Sequence, residues 1–422
     1  MLQPGARSAG KDNFATPRAP RLSALLEAAA QEFNARGIAG ASLSRIAHEL
    51  GLTRAALYYY VKDRGDLAAQ CYQQTCDVMR GDLAAADASS GTGLERVLYF
   101  LRLSLDPERT PPAVLSEMDY LEGKTHTAIA AAHGRNVEAL RALIRGGIAD
   151  RSIRPCDDEI IAQTLIGTIT WIPISVDWVD ATDATYRART VDALTDMIAN
   201  GQCSNPDTPY QPPVSIDAFF PVAPKAFDRE GNAAAKVEQL LMTASQLFNR
   251  RGIDGVSLDD ITAELGATKG ALYHYLDNKT DLVVRCYRRS FDLTERFADA
   301  AERVCSAGLE RGMTGLYLNV QAHASGLSPL TLTVGVSALP AAVKREITRR
   351  ARALQRRFED FGKQGLAEGT YRNIDIGVVA QLGAGAFEWL PKWFSPSDPR
   401  ASGALAAEIV TLFIRGLRTG FA

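Results

Sequence analysis

Leu43-Ser44-Arg45-Ile46-Ala47-His48-Glu49-Leu50-Gly51-Leu52-Thr53-Arg54-Ala55-Ala56-Leu57-Tyr58-Tyr59-Tyr60 recurs as Leu258-Asp259-Asp260-Ile261-Thr262-Ala263-Glu264-Leu265-Gly266-Ala267-Thr268-Lys269-Gly270-Ala271-Leu272-Tyr273-His274-Tyr275. The offset, 215 residues from Gly37 to Gly252, holds without a gap from Phe33 and Phe248 to Tyr72 and Tyr287. A match of that length makes the chain a tandem repeat. In the first copy Leu43, Ile46, Ala47 and Leu50 share one helical face, Gly51 supplies a sharp stop, and Thr53 is placed to cap a second helix. The pattern predicts a helix-turn-helix. Its second helix carries Arg54, Tyr58 and Tyr59 outward while Leu57 and Tyr60 turn inward. Basic and phenolic tips at a helix N-terminus suit a DNA major groove, where they reach phosphates and base edges.

Upstream of each copy lies a helical stripe, Leu22, Leu25, Leu26, Ala29 and Phe33 in the first and Val237, Leu240, Leu241, Ala244 and Phe248 in the second. Each DNA-binding head is therefore expected to have three helices, over residues 21–66 and 229–281. From about residue 93 further amphipathic helices follow, broken at Pro107, Pro111, Pro112 and Pro155, with no period-2 run between them. The expected fold is all-α. The halves converge again at Trp171-Ile172-Pro173 and Trp389-Leu390-Pro391, which gives helical bodies over 67–200 and 282–422. Between them, 201–228 holds Pro206, Pro209, Pro212, Pro213, Pro221 and Pro224 and reads as a linker. Residues 1–20 read as a flexible basic arm, which could enter a minor groove or remain a solvated tail.

A net charge of −2 over 422 residues lacks the basicity of a nonspecific nucleic-acid binder, so DNA contact must come from local patches. The six cysteines include no C-x-x-C pair, which argues against a metal site, and free thiols without a signal peptide point to a cytoplasmic protein. No apolar run approaches the roughly 18 residues that span a membrane. Nucleophile motifs and phosphate loops are also missing, and the five histidines are scattered, so no enzyme is expected.

On these residues each half resembles a complete TetR-family transcriptional regulator. The resemblance rests on Ser-Leu-x-x-Ile before the turn and on Thr-Arg/Lys-x-Ala-Leu-Tyr-x-Tyr after it. It implies a DNA-binding repressor, double-stranded DNA as partner and a small-molecule effector. Since members act as homodimers, two heads in one polypeptide imply an intramolecular pseudo-dimer, with further pairing of chains left open. The dimer helices would be 157–176 with 185–200, and 375–393 with 401–419, where Gly167 and Gly385 let axes approach closely.

The carried-over DNA contacts are Ser42, Arg45, Thr53, Arg54, Tyr58, Tyr59 and Arg64 in the first head and Ser257, Thr268, Lys269, Tyr273, His274 and Lys279 in the second. Asp259 and Asp260 replace Ser44 and Arg45, so the second head should bind more weakly and the operator should have unequal halves. An alternative reading is a small-molecule sensor or scaffold with one degenerate head. Candidate effector contacts are Tyr99, Phe100, Tyr120, His126, Tyr317, His323, Trp171 and Trp389, with core packing as the competing reading of each. The closing Trp-Leu-Pro-Lys-Trp is similar to that of acyl-CoA-responsive members. Arg345, Arg349, Arg352 and Arg356, at helical spacing, could hold nucleotide phosphates or be a solvated face. No cofactor is expected.

Overall fold

The computed structural model describes residues 18–175, 185–225, 227–332, 336, 339–395, 398 and 400–420. Most of the basic arm thus lies outside the described residues. The first head comprises α1 (Arg18–Gly40), α2 (Leu43–Glu49) and α3 (Arg54–Leu57). Its body follows as α4 (Arg64–Ala88), α5 (Gly93–Ser104), α6 (Gly123–Ala149), α7 (Asp158–Ser175) and α8 (Tyr186–Asn200). The second half repeats the order with α9 (Arg229–Arg251), α10 (Leu258–Leu265), α11 (Lys269–Tyr273), α12 (Lys279–Val304), α13 (Gly308–His323), α14 (Ala341–Ala367), α15 (Ile376–Glu388) and α16 (Ser402–Arg415). The described residues hold no strand, only the isolated bridges Ile153–Arg418 and Cys203–Tyr371.

Each head is welded to its body by the long helix that leaves it. Leu57 and Leu272 are buried, and the thiols of Cys71 and Cys286 donate to the Leu26 and Leu241 carbonyls at 3.7 and 3.6 Å. Burial pushes both thiols up to about 12, so they act as packing groups.

The bodies meet through α7 and α15, flanked by α8 and α16, so the expected helix pairs do face each other. A Cβ on Gly167 would lie 2.5 Å from the Gly385 carbonyl oxygen and 2.7 Å from Trp389 Cβ; one on Gly385 would lie 2.7 Å from Thr168 Cα. Only bare backbone fits this crossing. The contact is isologous, since what one half does to the other is returned in kind. Gln202 N donates to Phe413 O at 2.8 Å and Leu417 N to Ile198 O at 2.8 Å; Arg154 N donates to Leu417 O at 2.8 Å and Arg372 N to Gln202 O at 3.0 Å.

The proline-rich segment is more than a spacer. Ser204 N donates to Thr370 O at 3.0 Å, Tyr210 hydroxyl donates to Thr314 Oγ1 at 3.2 Å, and Phe219 meets Phe297 edge-on at 4.7 Å with the Arg296 guanidinium 5.3 Å from its ring. Ile216 and Phe219 are buried there against α12 and α13, so the segment is strapped along the second body.

Candidate nucleic-acid interface and effector cavities

In the first head, Ser42 and Thr53 cap α2 and α3, accepting from Arg45 N and Ala56 N at 3.2 Å each. Arg54 donates to the Tyr58 hydroxyl at 3.3 Å, and Tyr59 is 71% exposed. The Arg54 guanidinium lies 6.0 Å from the centre of the Tyr58 ring, which is itself exposed. Arg45 reaches Glu32 at 3.5 Å but stays well exposed. Arg64 is otherwise engaged: its guanidinium donates to the Ala39 carbonyl at 2.6 Å, tying α4 to the end of α1.

The second head has the same frame and different electrostatics. Ser257 and Thr268 cap α10 and α11, and Tyr273 is exposed, with His274 edge-on to Tyr275 at 5.2 Å. However, Lys269 Nζ sits 2.7 Å from Asp259 and Arg251 lies 3.4 Å from Asp260. Lys279, the counterpart of Arg64, is half-buried, and desolvation lowers its pKa despite Asp254 and Asp260 nearby. A cation already paired with a carboxylate offers a phosphate much less.

Each body holds a partly open cavity. The one in the second half is about 180 Å³, with Phe291, Leu316, Leu354 and Phe358 in its wall; the one in the first is about 230 Å³, with Asp82, Arg109, His133 and Ile166. Both cavities borrow across the interface. Trp171 of the first half lines the second cavity, and Trp389 of the second half lines the first.

Both also share a wall with the loop that holds the head. Asn34, at the end of α1, donates to Pro112 O at 2.9 Å and accepts from Val114 N at 2.8 Å; Asn249 does the same to Pro329 O and Thr331 N at 2.8 and 2.9 Å. Pro112 and Val114 line the first cavity, as Pro329 and Leu330 line the second. In the second half the grip is doubled. Lys392 Nζ donates to Asn249 O at 2.7 Å, and Glu388 accepts from Leu332 N at 2.6 Å. These asparagines were missed in the sequence reading, although both follow the matched Phe33 and Phe248 directly, and a shared polar residue beside an apolar stripe is a usable signal.

A family model for bacterial regulatory proteins of the tetR family matches residues 25–71 and, again, 240–286, and one for the tetracyclin repressor-like C-terminal domain matches 315–417. The chain belongs to the TetR family. Relatives of this TetR-family chain include the HTH-type transcriptional repressor KstR2 of Mycolicibacterium smegmatis, 23% identical over 197 residues, which are 45% of this chain and 94% of the relative. The Transposon Tn10 TetC protein of Escherichia coli is 30% identical over 69 residues, 16% of this chain and 35% of that protein. Among solved structures, KstR2 of Mycobacterium tuberculosis matches at 19% identity and a TM-score of 0.39, covering 44% of this chain and 96% of its own. AibR in complex with isovaleryl coenzyme A and operator DNA matches at 22% and 0.37, covering 42% and 98%. TetR-family proteins are regulators, not enzymes, and no described helix here is long and apolar enough to cross a membrane.

Against the TetR-based expectations for the effector, Trp171 and His323 line the second cavity and Trp389 the first. The other candidates line neither. Phe100 is fully buried in the core, Tyr99 is exposed, Tyr120 packs on the core's edge, His126 faces Asp119 at 3.2 Å near the surface, and Tyr317 packs on Tyr210 with ring centroids 6.2 Å apart. Helical pattern told these residues apart from loops but not lining from core.

His133 and His323 are both pushed down to about 4 by burial. Between pH 6.5 and 4 the unfolded chain takes up protons that the folded chain refuses. Stability is thus fully present above about 6.5 and lost as pH falls, by up to roughly 3 kcal/mol per histidine. His133→Leu should make the acid limb of a Tm-versus-pH curve shallower than in wild type, and an unchanged limb would count against the assignment.

Proposed function

We propose that the chain is a ligand-responsive transcriptional repressor in which the two halves of one polypeptide replace the two subunits of a DNA-binding dimer, on an operator with unequal half-sites. The observation that carries this reading is the isologous packing of α7 and α8 on α15 and α16, which leaves each half one exposed recognition helix. The shared wall between each cavity and its head-holding loop supports effector release: a ligand that favours one loop position shifts the head with it, through differential affinity for the two states.

The effector class we infer is acyl-CoA-like. The Trp-Leu-Pro-Lys-Trp closing segment, the apolar second cavity and the relative crystallised with isovaleryl coenzyme A support it. Arg345, Arg349 and Arg356 add to this, being exposed along α14 in an open groove with Lys344 and Thr348, where the first half has Thr127, Ala131 and Glu138. By contrast, Arg350 and Arg357 on the adjoining face pair with Asp292, Glu295, Asp299 and Glu302 of α12.

Selection from a random duplex library followed by footprinting tests the reading. A bipartite site should emerge with one half more tightly specified. In gel shifts on it, Arg54→Ala should weaken binding at least about tenfold and flatten the log–log salt slope by about 1, whereas Lys269→Ala should cost less than about threefold. Equal losses from the two variants, or equal protection of both halves, would rule out unequal heads. Binding that is weak and sequence-indifferent throughout would leave the sensor or scaffold as the better account.

A further inference from the structure

Gly37, near the end of α1, and Gly252, just after α9, are matched in the repeat and turn the chain at φ +69° and +73°. One side chain reaches both. Glu117, 8% exposed on the helical turn Leu115–Tyr120 of the first body, accepts from Ile38 N on Oε2 at 2.5 Å. A Cβ on Gly37 would stand 3.0 Å from its Oε1, and a Cβ on Gly252, in the other head, 3.7 Å from the same atom. Glycine supplies both the positive φ and the room for this approach. The carboxylate thus lies in the seam between the heads: the first is held by a charge-assisted hydrogen bond, and the second rests against it.

The same residue is tied back to the first cavity. Its backbone N donates to the hydroxyl of the buried Tyr72 on α4 at 3.2 Å, and Leu115, two residues earlier, lines that cavity with Pro112 and Val114. A second link leaves the same wall. Trp389, which lines the first cavity, precedes the turn Leu390–Lys392, and Lys392 Nζ donates to Asn249 O in the last turn of α9 at 2.7 Å. Lys392 is itself buried, and the charge of Glu117 is among those that favour its protonated form. The first cavity is therefore joined to its own head by Asn34 and Glu117 and to the other head by Glu117 and Lys392. The second cavity has no such pair to offer. Matching Pro112 to Pro329 and Val114 to Thr331 puts Val334 in the place of Glu117, and Ile174 stands in that of Lys392.

We propose that Glu117 is a positioning residue that sets the placement of the two heads relative to each other, and that through it the first cavity bears on both heads while the second bears on its own. The consequence for DNA, a single permitted spacing between half-sites, deepens the repressor reading above and rests on it. The placement itself is tested without DNA, so failure of that reading and failure of this role are distinguishable.

The measurement is amide hydrogen exchange on the full chain, read at Ile38 in the first head and over 249–252 in the second. Glu117→Ala removes the acceptor of the Ile38 amide and should speed its exchange roughly ten- to a hundredfold, as loss of a bond to a charged group allows. The deciding readout lies across the seam. Residues 249–252 should exchange roughly two- to fivefold faster, since only van der Waals contact is lost there, whereas a residue that merely stabilised the first half would leave them alone. Glu117→Gln keeps the size and the acceptor and should return both sites close to wild type. Val78→Phe, which puts a ring into the first cavity, should alter exchange at both sites, and Ala351→Phe, in the second cavity, at 249–252 alone. In selection from duplexes with spacers of varied length, Glu117→Ala should accept spacers that wild type rejects. Selection that yields no site for either protein would sink the repressor reading and leave the exchange result standing. Unchanged exchange over 249–252 in Glu117→Ala, a Glu117→Gln variant as loose as Glu117→Ala, or a Val78→Phe effect confined to the first head would each overturn the proposal.

Discussion

Gly167→Ala is expected to abolish tight operator binding and to destabilise the chain by roughly 1–3 kcal/mol or more. The added methyl has nowhere to go: the Gly385 carbonyl oxygen would stand 2.5 Å from it and Trp389 Cβ 2.7 Å. The first is backbone of α15 and the second is the Cβ of the residue that caps it, so the strain cannot be relieved by rotating a side chain. The axes of α7 and α15 must separate, and the heads that they carry must follow. On the proposed reading, a clamp that spans successive major grooves, about 34 Å apart, tolerates little of that. Thermal melts together with gel shifts at constant salt provide the check. Gly134→Ala is the control, because a Cβ there meets nothing within 4 Å. If both variants bind DNA like wild type, the close crossing does not set head spacing.

Asn249→Ala should have the second large effect, of a different kind. It leaves the Pro329 carbonyl and the Thr331 amide without the side chain that pairs them, in a site where Asn249 itself is 1% exposed. Orphaned buried groups cost about 1–3 kcal/mol each. The second head should then sit more loosely on its body, held by the Lys392 and Glu388 bonds that remain, so that on the proposed reading a ligand releases DNA less fully through this half. Asn34→Ala should do likewise in the first half, more strongly, since the Lys392 and Glu388 bonds that Asn249→Ala keeps have no equivalent there and Thr170 and Ile174 stand in their places. Hydrogen-exchange protection of α9 and α1 measures this coupling. Unchanged protection in Asn249→Ala would mean that the head is held by other contacts.

The heads were legible in the sequence because their logic is local. Capping at Ser42, Thr53, Ser257 and Thr268, the inward Leu57 and the outward Tyr59 all follow from residue type and spacing within a dozen positions. The interface helices were legible for a similar reason, as Gly167 and Gly385 recur at matching places in apolar helices. The cavities were not. Whether Phe100 or Phe291 faces a void depends on how three or four helices meet, and both look the same in a helical stripe. The Trp171 and Trp389 exchange and the strapping of Phe219 onto Phe297 are likewise long-range outcomes that no period in the sequence announces.

The strap from Ser204 to Phe219 joins the two halves covalently, and this changes what dilution can do. Subunits that meet by diffusion separate when scarce, and occupancy of their target then falls with the square of concentration. Halves on one strand face each other at a fixed effective concentration whatever the copy number. Occupancy by this chain should therefore rise in simple proportion to its abundance, so that even a single molecule in a cell arrives with both of its heads.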